Sequence, residues 1–523
     1  MHHSRDRDMY SVDAFKLSDS ISDLSRPLEA CTRMALKYGP GFSITVPGVR
    51  IIDISKPEWL EYIQKTNFDN YEKGIMFRSL MVDLFGDGIL VIDGASWKRA
   101  RMVTARMFHA GTFKTVIEPS VNQSLDGHLQ VLRSASDEGR DLDFCNLFTR
   151  LTLDSFVKMT FGRTLGLYEE QSTTDVEAAA SDKHVSSPKV FAEAFDFAQK
   201  QMDFRFTVMT GWELYEKVNH RVGQKMKRSI GTIHDYAYTL IDERLAKISS
   251  DEDFTNRETF QHDFLGLMMA FHHQREHNLN REELRDACLS FLLAGRDATA
   301  QAMSWCIFHL LMNKDMVRKI REEADQLLGS YPSNHGRVTH DNYKQFTYTY
   351  SALLETLRLH PPVPKNLKFA KTDDVIPGGP TIEAGDCVTW SDWQMARDPK
   401  VWGPDCGQFK PERWIDETGK MQSFGNFKFH AFNGGPRLCL GMNMALFINV
   451  ATIVEMLHNF DLDFSEGWLE NVPKSGELDG VKTDYPTPQY QPSLTLPMKN
   501  AMMISVEIPC RRGQMLKLLM ADF

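Results

Sequence analysis

One segment near the C-terminal end of the chain constrains the fold more than any other. It runs from Lys428 to Phe447 and reads KFHAFNGGPRLCLGMNMALF. Five of its residues follow the spacing FxxGxRxCxG: Phe432, Gly435, Arg437, Cys439 and Gly441. The apolar run after Gly441 predicts the start of a buried helix. Because unpaired N–H groups and the positive end of the helix dipole favour a thiolate, we expect Cys439 to be an anionic ligand.

The residues around this cysteine favour a flat, acidic cofactor. Glycines on both sides let the backbone come close to such a group, and Arg437 can pair with its acidic substituent. The segment resembles the haem-ligand loop of cytochrome P-450 monooxygenases, in which a cysteine thiolate binds the iron and favours O–O cleavage. The resemblance implies that Cys439 ligates haem iron, with Phe432 and Gly441 beside the cofactor. The alternative is a buried core cysteine beside a Gly-Gly-Pro turn.

Length and charge limit the function classes. A chain of 523 residues with a net charge of −10 does not have the basic character of a nucleic-acid-binding protein. Eight cysteines without a CxxC pair favour a reducing compartment over a disulfide framework. Helical patterns dominate and alternating stretches suggest a small β lobe, so the fold class is mainly α, which the resemblance narrows to the cytochrome P-450 fold. We expect a monomer with one domain over residues 38–508, a polar segment 1–37 and a tail 509–523.

The first twenty residues are polar and charged. They are neither a signal peptide nor the span of about 20 apolar residues that a membrane helix needs. Eukaryotic members of the resembled family usually carry such an anchor. If an anchor has been lost, we expect the full-length protein on the endoplasmic reticulum membrane, facing the cytosol and touching the membrane surface. As the sequence stands, it predicts a soluble cytoplasmic protein.

A basic helix is predicted within DGASWKRARMVTARMF. Trp97 and Arg101 are four residues apart and so share one face of it. Alone, such a pair is usually a surface cation over an aromatic ring, but the resemblance implies that both side chains hold the haem propionates. Lys98, Arg99 and Arg106 add positive charge, which is either a solvated face or a docking patch for an acidic electron-donor protein.

The segment HHQREH contains a candidate metal site that would imply a different function. His273, Glu276 and His277 match the HxxEH pattern of zinc peptidases, in which two histidines four residues apart share a metal ion. The segment is highly polar and shows no third carboxylate ligand in a helical context. We therefore favour a surface turn over a metal site.

The longest apolar helical pattern spans residues 282–312, enough for a helix of about 45 Å. Arg296 and Asp297 interrupt its apolar character, which argues against a membrane span and for a polar notch in a buried helix. A buried acid and a mid-helix glycine, Gly295, both cost stability. The notch is therefore a candidate functional site.

This notch resembles the oxygen-binding bend of the same family. The resemblance maps Ala294, Gly295 and Asp297 onto its pattern and implies that the acid helps to bring in protons for O–O cleavage. The next position, usually threonine, is Ala298 here. Thr299 follows, but it lies about 100° further around the helix and is not an automatic substitute. We take Asp297 and Thr299 as the candidate catalytic residues.

Three charged residues further along suggest a structural network. Glu355 and Arg358 form an ExxR pair on one helix face, which alone is an ordinary ion pair. With Arg413 of the segment PERW they resemble the Glu-Arg-Arg triad of the family. That resemblance implies an ion network that orders the loop presenting Cys439.

The remaining site assignments come from the resemblance alone. It implies that Val363 and Asn366, after the Pro-Pro that ends the ExxR helix, turn toward the substrate cavity, and that a turn near Leu496 does the same. It also implies that Lys368 reaches a haem propionate. Alternating stretches at 375–390 and 486–508 predict the hairpins of the β lobe.

Together these features predict a monooxygenase that inserts one atom of O₂ into a C–H bond of a lipophilic substrate. The motifs AGRDATAQAMSW and FNGGPRLCLG resemble the branch that hydroxylates fatty acids or alkanes near the chain terminus. No flavin or dinucleotide fingerprint is present, so electrons from NADPH have to come through a separate cytochrome P-450 reductase. The alternatives are a haem-thiolate isomerase or dehydratase, which Ala298 keeps open, and a non-catalytic haem-binding sensor.

Overall fold

Helices supply most of the chain, and three small sheets lie beside them. The computed structural model describes residues 10–13, 26–46, 48–168, 187–250, 262–272, 279–329 and 336–509. The helices in these ranges are α1 Pro27–Tyr38, α2 Pro57–Glu61, α3 Gly74–Ser79, α4 Val82–Phe85, α5 Gly94–Ala105, α6 Ala110–Thr112, α7 Glu118–Glu138, α8 Phe144–Phe161, α9 Pro188–Val208, α10 Trp212–Val218, α11 His220–Ser250, α12 Phe264–His272, α13 Arg281–Leu311, α14 Lys314–Leu328, α15 Thr347–Leu359, α16 Asp392–Ala396, α17 Pro399–Trp402, α18 Met442–Asn459 and α19 Trp468–Asn471.

The strands are short and pair over long distances in sequence. They are β1 Tyr10–Asp13, β2 Gly41–Val46, β3 Val49–Ile54, β4 Tyr71–Glu72, β5 Leu142–Asp143, β6 Lys365–Ala370, β7 Asp374–Val375, β8 Thr381–Ile382, β9 Cys387–Ser391, β10 Asp461–Phe464 and β11 Met503–Glu507. The largest sheet has the order β1-β2-β3-β9-β6-β4, and the others are β10-β11-β5 and β7-β8. The predicted mainly helical fold with a small β lobe is confirmed.

Helix α13 runs through the centre of the helical core. It begins at a capping box, in which the side chain of Asn280 accepts from the N–H of Glu283 and the Glu283 carboxylate accepts from the N–H of Asn280. It packs against α8, α11, α15 and α18. At Gly295 the ring of Phe156 comes so close that an added Cβ would lie 1.7 Å from it. Glycine is therefore required where α8 crosses α13.

The sequence located several elements correctly. The long apolar pattern is one continuous helix, α13, and the alternation after Gly41 is the antiparallel pair β2–β3. The stretch 375–390 contains the predicted hairpin β7–β8, and its last strand, β9, joins the large sheet. The stretch 486–508 is less regular, with an isolated bridge between Tyr490 and Met498 before β11.

The expected domain boundary at residue 38 needs correction. Helix α1 ends there, and its residues Leu28, Glu29 and Thr32 are buried. The helix packs against α16 and β2, and the hydroxyl of Tyr490 donates to Glu29. The packed region therefore begins before residue 38, because the polar-looking sequence of α1 hides a buried face.

Two expectations concern metals and membranes. The HxxEH segment with His273, Glu276 and His277 lies outside the described residues, as does the tail after residue 509. The described part of the chain holds no group of three or more His, Cys, Asp and Glu side chains arranged to bind a metal ion. Within that same part, no helix combines the length and apolar character needed to cross a membrane.

Candidate active site

The cysteine loop is held by tight backbone turns just before α18. The N–H of Cys439 donates to the carbonyl of Phe432 at 2.8 Å, and the N–H of Leu438 donates to Gly435 at 3.1 Å. Gly435 has a φ of +58°, and a Cβ there would lie 2.4 Å from the carbonyl oxygen of Gln64. Only glycine fits this turn without displacing its neighbour. The loop therefore presents the sulfur of Cys439 at a fixed point in front of a buried helix.

The thiol of Cys439 is accessible and has opposing electrostatic influences. Desolvation by the surrounding atoms raises its pKa above the ordinary value, while the N–H of Gly441 and the charge of Arg101 act in the opposite direction. Coordination to a metal ion would deprotonate the thiol.

The sulfur opens onto a cavity of about 970 Å³. Helix α13 forms one wall, the region of α3–α5 another, and the segment after α15 a third. Several phenylalanine side chains and aliphatic residues face the space: Phe68, Phe77, Phe108, Phe206, Phe291, Leu293 and Leu367. The cavity has the mainly apolar character of a site for a cofactor together with a lipophilic ligand.

Arginine and tryptophan side chains meet at the edge of this cavity, as the spacing WxxxR predicted. Trp97 is buried, and the guanidinium groups of Arg437 and Arg101 lie 4.3 Å and 5.7 Å from the centre of its ring. Arg437 pairs with Asp93, and Arg101 donates to the carbonyl of Leu438 at 2.7 Å. The predicted propionate-binding residues therefore lie together, and Asp93 partly compensates their charge.

Lys368 adds a further cation to the same place. Its Nζ atom is buried with no hydrogen-bond partner among the residues that the structure describes, and burial, together with the charge of Arg437, lowers its pKa to about 7. Lys73, a residue that the sequence did not single out, lines the cavity as well, and its pKa is well below the ordinary value, mainly because of burial. Lys73 follows the polar run NFDNYE and belongs to no motif, so the sequence gives no signal for it.

This cluster fits the two carboxylates of haem. Lys73, Lys368 and Arg437 place three cations close together, while Asp93, the acid that interacts with all of them, already pairs with Arg437. An excess of buried positive charge and an unpartnered ammonium group are costly unless anions join them. The cavity therefore offers both the axial sulfur and the counter-charges that iron protoporphyrin IX requires.

The residues of the polar notch of α13 lie on two different faces of the helix. Ala294, Gly295, Ala298 and Thr299 line the cavity, whereas Asp297 does not. The Asp297 carboxylate lies 3.6 Å from Nε of Arg296, and burial raises its pKa, with Arg296 lowering it and Asp196 raising it further. A hydroxyl group at Thr299 thus faces the cavity, and the acid lies behind the helix wall.

The three residues of the expected triad form one buried network. Glu355 accepts from Nε and Nη2 of Arg358, both at 2.8 Å, and from Nε of Arg413 at 3.3 Å. Its other oxygen also accepts from Nε1 of Trp414 at 3.0 Å. Arg358 in turn donates to the carbonyl groups of Ala396 and Cys406. The network ties α15 to the irregular segment before the cysteine loop.

One of the three substrate-contact expectations is wrong. Val363 and Asn366 line the cavity, but Leu496 is fully buried away from it and its carbonyl accepts from Nε1 of Trp305 at 2.7 Å. Leu494 and Thr495 face the cavity instead. The sequence located the turn but not which of its residues point inward, because the turn has no regular period.

The basic face of α5 is less positive than its sequence suggests. Lys98 lies 3.3 Å from a carboxylate oxygen of Asp69, and Arg99 lies 2.8 Å from one of Glu283. Both cations are largely exposed, so these pairs contribute little energy and exchange readily with other partners. Docking of an acidic protein on this face stays a prediction.

Comparison with known proteins agrees with this geometry. The family model described as "Cytochrome P450" matches residues 20–485. "Cytochrome P450 monooxygenase cyp1" of Mycosarcoma maydis is 35% identical over 478 residues, which is 91% of this chain and 71% of that protein. "Cytochrome P450 86B1" of Arabidopsis thaliana is 31% identical over 422 residues, or 79% and 72% of the two chains. "Cytochrome P450 94A2" of Vicia sativa is 28% identical over 468 residues, or 88% and 82%.

The residues matched by the family model include the cysteine loop, the central helix α13 and the ion network of Glu355. With the fold and the geometry around Cys439, this match establishes that this chain belongs to the cytochrome P450 family of haem-dependent monooxygenases.

Proposed function

We propose that this monooxygenase hydroxylates a fatty acid or alkane at or near the end of its chain. The observation that carries the proposal is the apolar cavity that leads from the sulfur of Cys439 along α13. Phe77, Phe206 and Leu494 face this space and offer dispersion contacts but no charge to a flexible acyl chain. The resemblance of AGRDATAQAMSW and FNGGPRLCLG to the terminal hydroxylases supports the same substrate class.

Each part of the site has a distinct task in this proposal. Cys439 binds the iron, and Lys368, Arg437, Arg101 and Trp97 hold the propionates. The bound haem supplies the one-electron and O₂ chemistry. The apolar walls exclude water from the reacting carbon and align the chain. Other residues of the proposal therefore act by orientation and by moving protons.

Proton supply falls to the notch of α13. Thr299 faces the cavity and can donate a hydrogen bond there, while Asp297 holds a proton behind the wall because burial raises its pKa. Ala298, which also lines the cavity, offers no hydroxyl group. Alanine at this position keeps the second candidate open, a haem-thiolate isomerase or dehydratase that needs no activation of O₂.

Electrons come from NADPH through a separate reductase in this proposal, and the protein works at the cytosolic face of the endoplasmic reticulum if an anchor has been lost. The basic residues of α5 are the docking surface we favour. Consumption of NADPH and O₂ with added reductase separates the candidates. Product formed without NADPH supports the isomerase, and spectral ligand binding without any product supports a sensor.

The direct test of the site is the carbon monoxide spectrum of the reduced protein and of a Cys439→Ser variant. We expect the thiolate-type signature in the parent protein and its loss in the variant, because a serine hydroxyl does not replace the thiolate ligand. A lipid panel with product analysis then identifies the substrate. A purified, folded variant that keeps both the porphyrin and the thiolate signature would contradict the assignment of Cys439.

A further inference from the structure

A second acid lies behind the oxygen-side wall of the cavity, on helix α9. Asp196, Gln199 and Asp203 occur at positions i, i+3 and i+7 and therefore lie on one face of that helix. This face meets the polar notch of α13, since Asp196 pairs with Arg296 and the charge of Asp297 acts on Asp203. Asp203 belongs to none of the site residues assigned so far.

The side chain of Asp203 also contacts the backbone of the cavity wall. Its Oδ1 atom accepts from the N–H of Leu494 at 3.1 Å and from Nε2 of Gln199 at 3.3 Å. Leu494 lines the cavity, so the carboxyl group of Asp203 lies directly behind a residue of the cavity surface. The Oε1 atom of Gln199 is buried and has no hydrogen-bond partner within the part of the chain that the structure describes. Buried acceptors are rarely left unpaired, so this oxygen calls for a donor such as a water molecule or a protonated carboxyl group.

The charges around Asp203 favour its protonated form near neutral pH. The pKa of Asp203 is raised to about 7, mainly by burial and also by the charge of Asp297, while the N–H of Leu494, Gln199 and Arg296 act in the opposite direction. The pKa of Asp297 is raised in the same way. Two neighbouring carboxyl groups in a partly buried place do not both ionise at ordinary cost. The pair thus holds a proton, while Arg296 and the exposed Asp196 limit its net charge.

We propose that Asp203 is a second proton-holding acid, which acts through Asp297 to supply protons to the groove formed by Ala294, Gly295, Ala298 and Thr299. Asp297 gives its proton to the groove and becomes a carboxylate, which the carboxyl group of Asp203 then reprotonates by way of water, since no direct hydrogen bond joins the two acids in the described part of the chain. Asp203 regains a proton from solvent at its partly exposed side. This inference rests on the proposed monooxygenase function. It also explains how a chain with Ala298 at the usual threonine position keeps its proton supply.

Two substitutions separate proton supply from a structural role. Asp203→Asn keeps an oxygen that accepts from the N–H of Leu494 but no longer titrates, whereas Asp203→Leu loses both properties. We expect both variants to form about tenfold less product per NADPH oxidised, at the low end for loss of a general acid because water partly replaces it. If Asp203→Asn matches the parent and only Asp203→Leu fails, Asp203 merely tethers the turn and the proposal is overturned.

The pH profile provides a readout that tethering does not move. In the parent, product per NADPH falls as pH rises through about 7, because Asp203 loses its proton there. We call this fall in product per NADPH the alkaline limb of the profile, and we expect it to disappear in Asp203→Asn. The matched control is Glu193→Gln, which removes an exposed acid from the same helix without touching the pair Asp196–Arg296 and leaves the alkaline limb in place. Asp203→Asn combined with Ala298→Thr regains part of the lost coupling; no gain, or an unchanged limb, contradicts the proposal.

Infrared spectroscopy of the resting protein tests the acid without turnover. A band of a protonated carboxyl group that disappears as pH rises through about 7 is expected in the parent and should be absent from Asp203→Asn. If this band is present while the parent forms no NADPH-dependent product, the acid is assigned and the proposed function fails. If product forms but the band is unaffected by the substitution, the function stands and Asp203 is not the acid.

Discussion

Lys368 shows how one side chain reports the cofactor that its pocket accepts. Its ammonium group lies buried with no hydrogen-bond partner among the described residues, and Arg437 repels it. A buried group in this position either loses its proton or gains an anion. Burial and Arg437 lower the pKa of Lys368 to about 7, which is a change in the direction of the first outcome. A haem propionate beside Nζ supplies the second.

The affinity of the protein for haem should depend on pH through Lys368. An anion raises the pKa of Lys368 above 7, so its contribution to binding is complete below about pH 7 and is lost as pH rises through the higher pKa of the bound state. We expect Lys368→Met to weaken haem binding about tenfold at pH 7 or below, the size of one charged hydrogen bond, and to flatten the pH dependence. Haem transfer to an acceptor protein measures both effects.

The control for this prediction lies three residues further along. Lys371 is exposed, so Lys371→Met removes the same charge without touching the cavity. We expect its haem affinity and pH dependence to match the parent protein. Equal effects of the two substitutions would show that total charge, and not contact with the propionate, governs haem binding.

The position of a side chain was predictable where a motif fixes the spacing, but not where three-dimensional packing decides that position. The spacings around Cys439 and between Trp97 and Arg101 placed these side chains at one cavity. Lys73 shares that cavity without belonging to any motif. Cys439 was expected to be anionic from its place before a helix; the surrounding atoms raise its pKa, while the N–H of Gly441 and the charge of Arg101 lower it. A local sequence pattern does not show such opposing effects of packing.

At the scale of elements, Glu355 joins α15 to the segment that leads to the cysteine loop. One buried carboxylate accepts from two arginines and a tryptophan. Removing one partner from a buried ion network costs far more than its net contribution, because the remaining charges stay buried and unpaired. The network is therefore sensitive to a change that keeps the shape of the side chain.

We expect Glu355→Gln to destabilise the protein by about 3–5 kcal/mol, since it leaves the buried Arg358 with an uncompensated charge, while Arg413 keeps its pair with Asp405 at 3.1 Å. Thermal unfolding should occur at a lower temperature, and haem should be lost earlier because the loop presenting Cys439 is no longer ordered. Glu412→Gln is the matched control: its exposed pair with Lys319 should be worth less than about 1 kcal/mol. Equal losses in stability would contradict the structural role of the network.

Elements with strong periodicity were predictable, and pairings between distant segments were not. The apolar spacing of residues 282–312 specified α13 because one long helix buries it on nearly every side. The large sheet instead joins β3 to β9, more than 300 residues later in the chain. Strands of five or six residues carry too little pattern to choose a partner over such a distance. Helix α1 was missed because polar residues separate its few buried positions.

At the scale of the whole molecule, Arg205 connects the elements that cover the cavity. This fully buried side chain of α9 donates to both carboxylate oxygens of Asp83 on α4, at 2.9 and 2.8 Å. It also donates to Glu216 on α10 at 2.9 Å and lies 4.0 Å from the ring centre of Trp212. Next to it, Phe206 of α9 contacts Phe77 of α3 across the cavity wall.

The two acids of this cluster lie on different elements. Glu216 follows Arg205 by 11 residues and lies on α10, whereas Asp83 precedes it by 122 residues and lies on α4, next to Leu80, whose carbonyl also accepts from Arg205 at 3.1 Å. If α9 separates from α4 to admit a ligand, the contacts with Asp83 and Leu80 break and the contact with Glu216 remains. We therefore expect the pair Arg205–Asp83 to hold α9 against α4, so that the cavity stays covered, and the pair Arg205–Glu216 to keep α9 and α10 together.

These roles predict different outcomes for two matched substitutions. Asp83→Asn weakens the closed state, and since Asp83 is about one-third exposed we expect a cost of about 1 kcal/mol, or roughly fivefold faster binding and release of a lipid. Glu216→Gln strips the buried arginine of its better-covered partner, so it should lower thermal stability more and change both rates less. Stopped-flow measurement of the ligand-induced spectral shift gives the rates, and thermal unfolding gives the stability. If both variants change the rates equally, the cluster is a single structural unit that opens and closes as a whole, and Asp83 does not hold the cover closed.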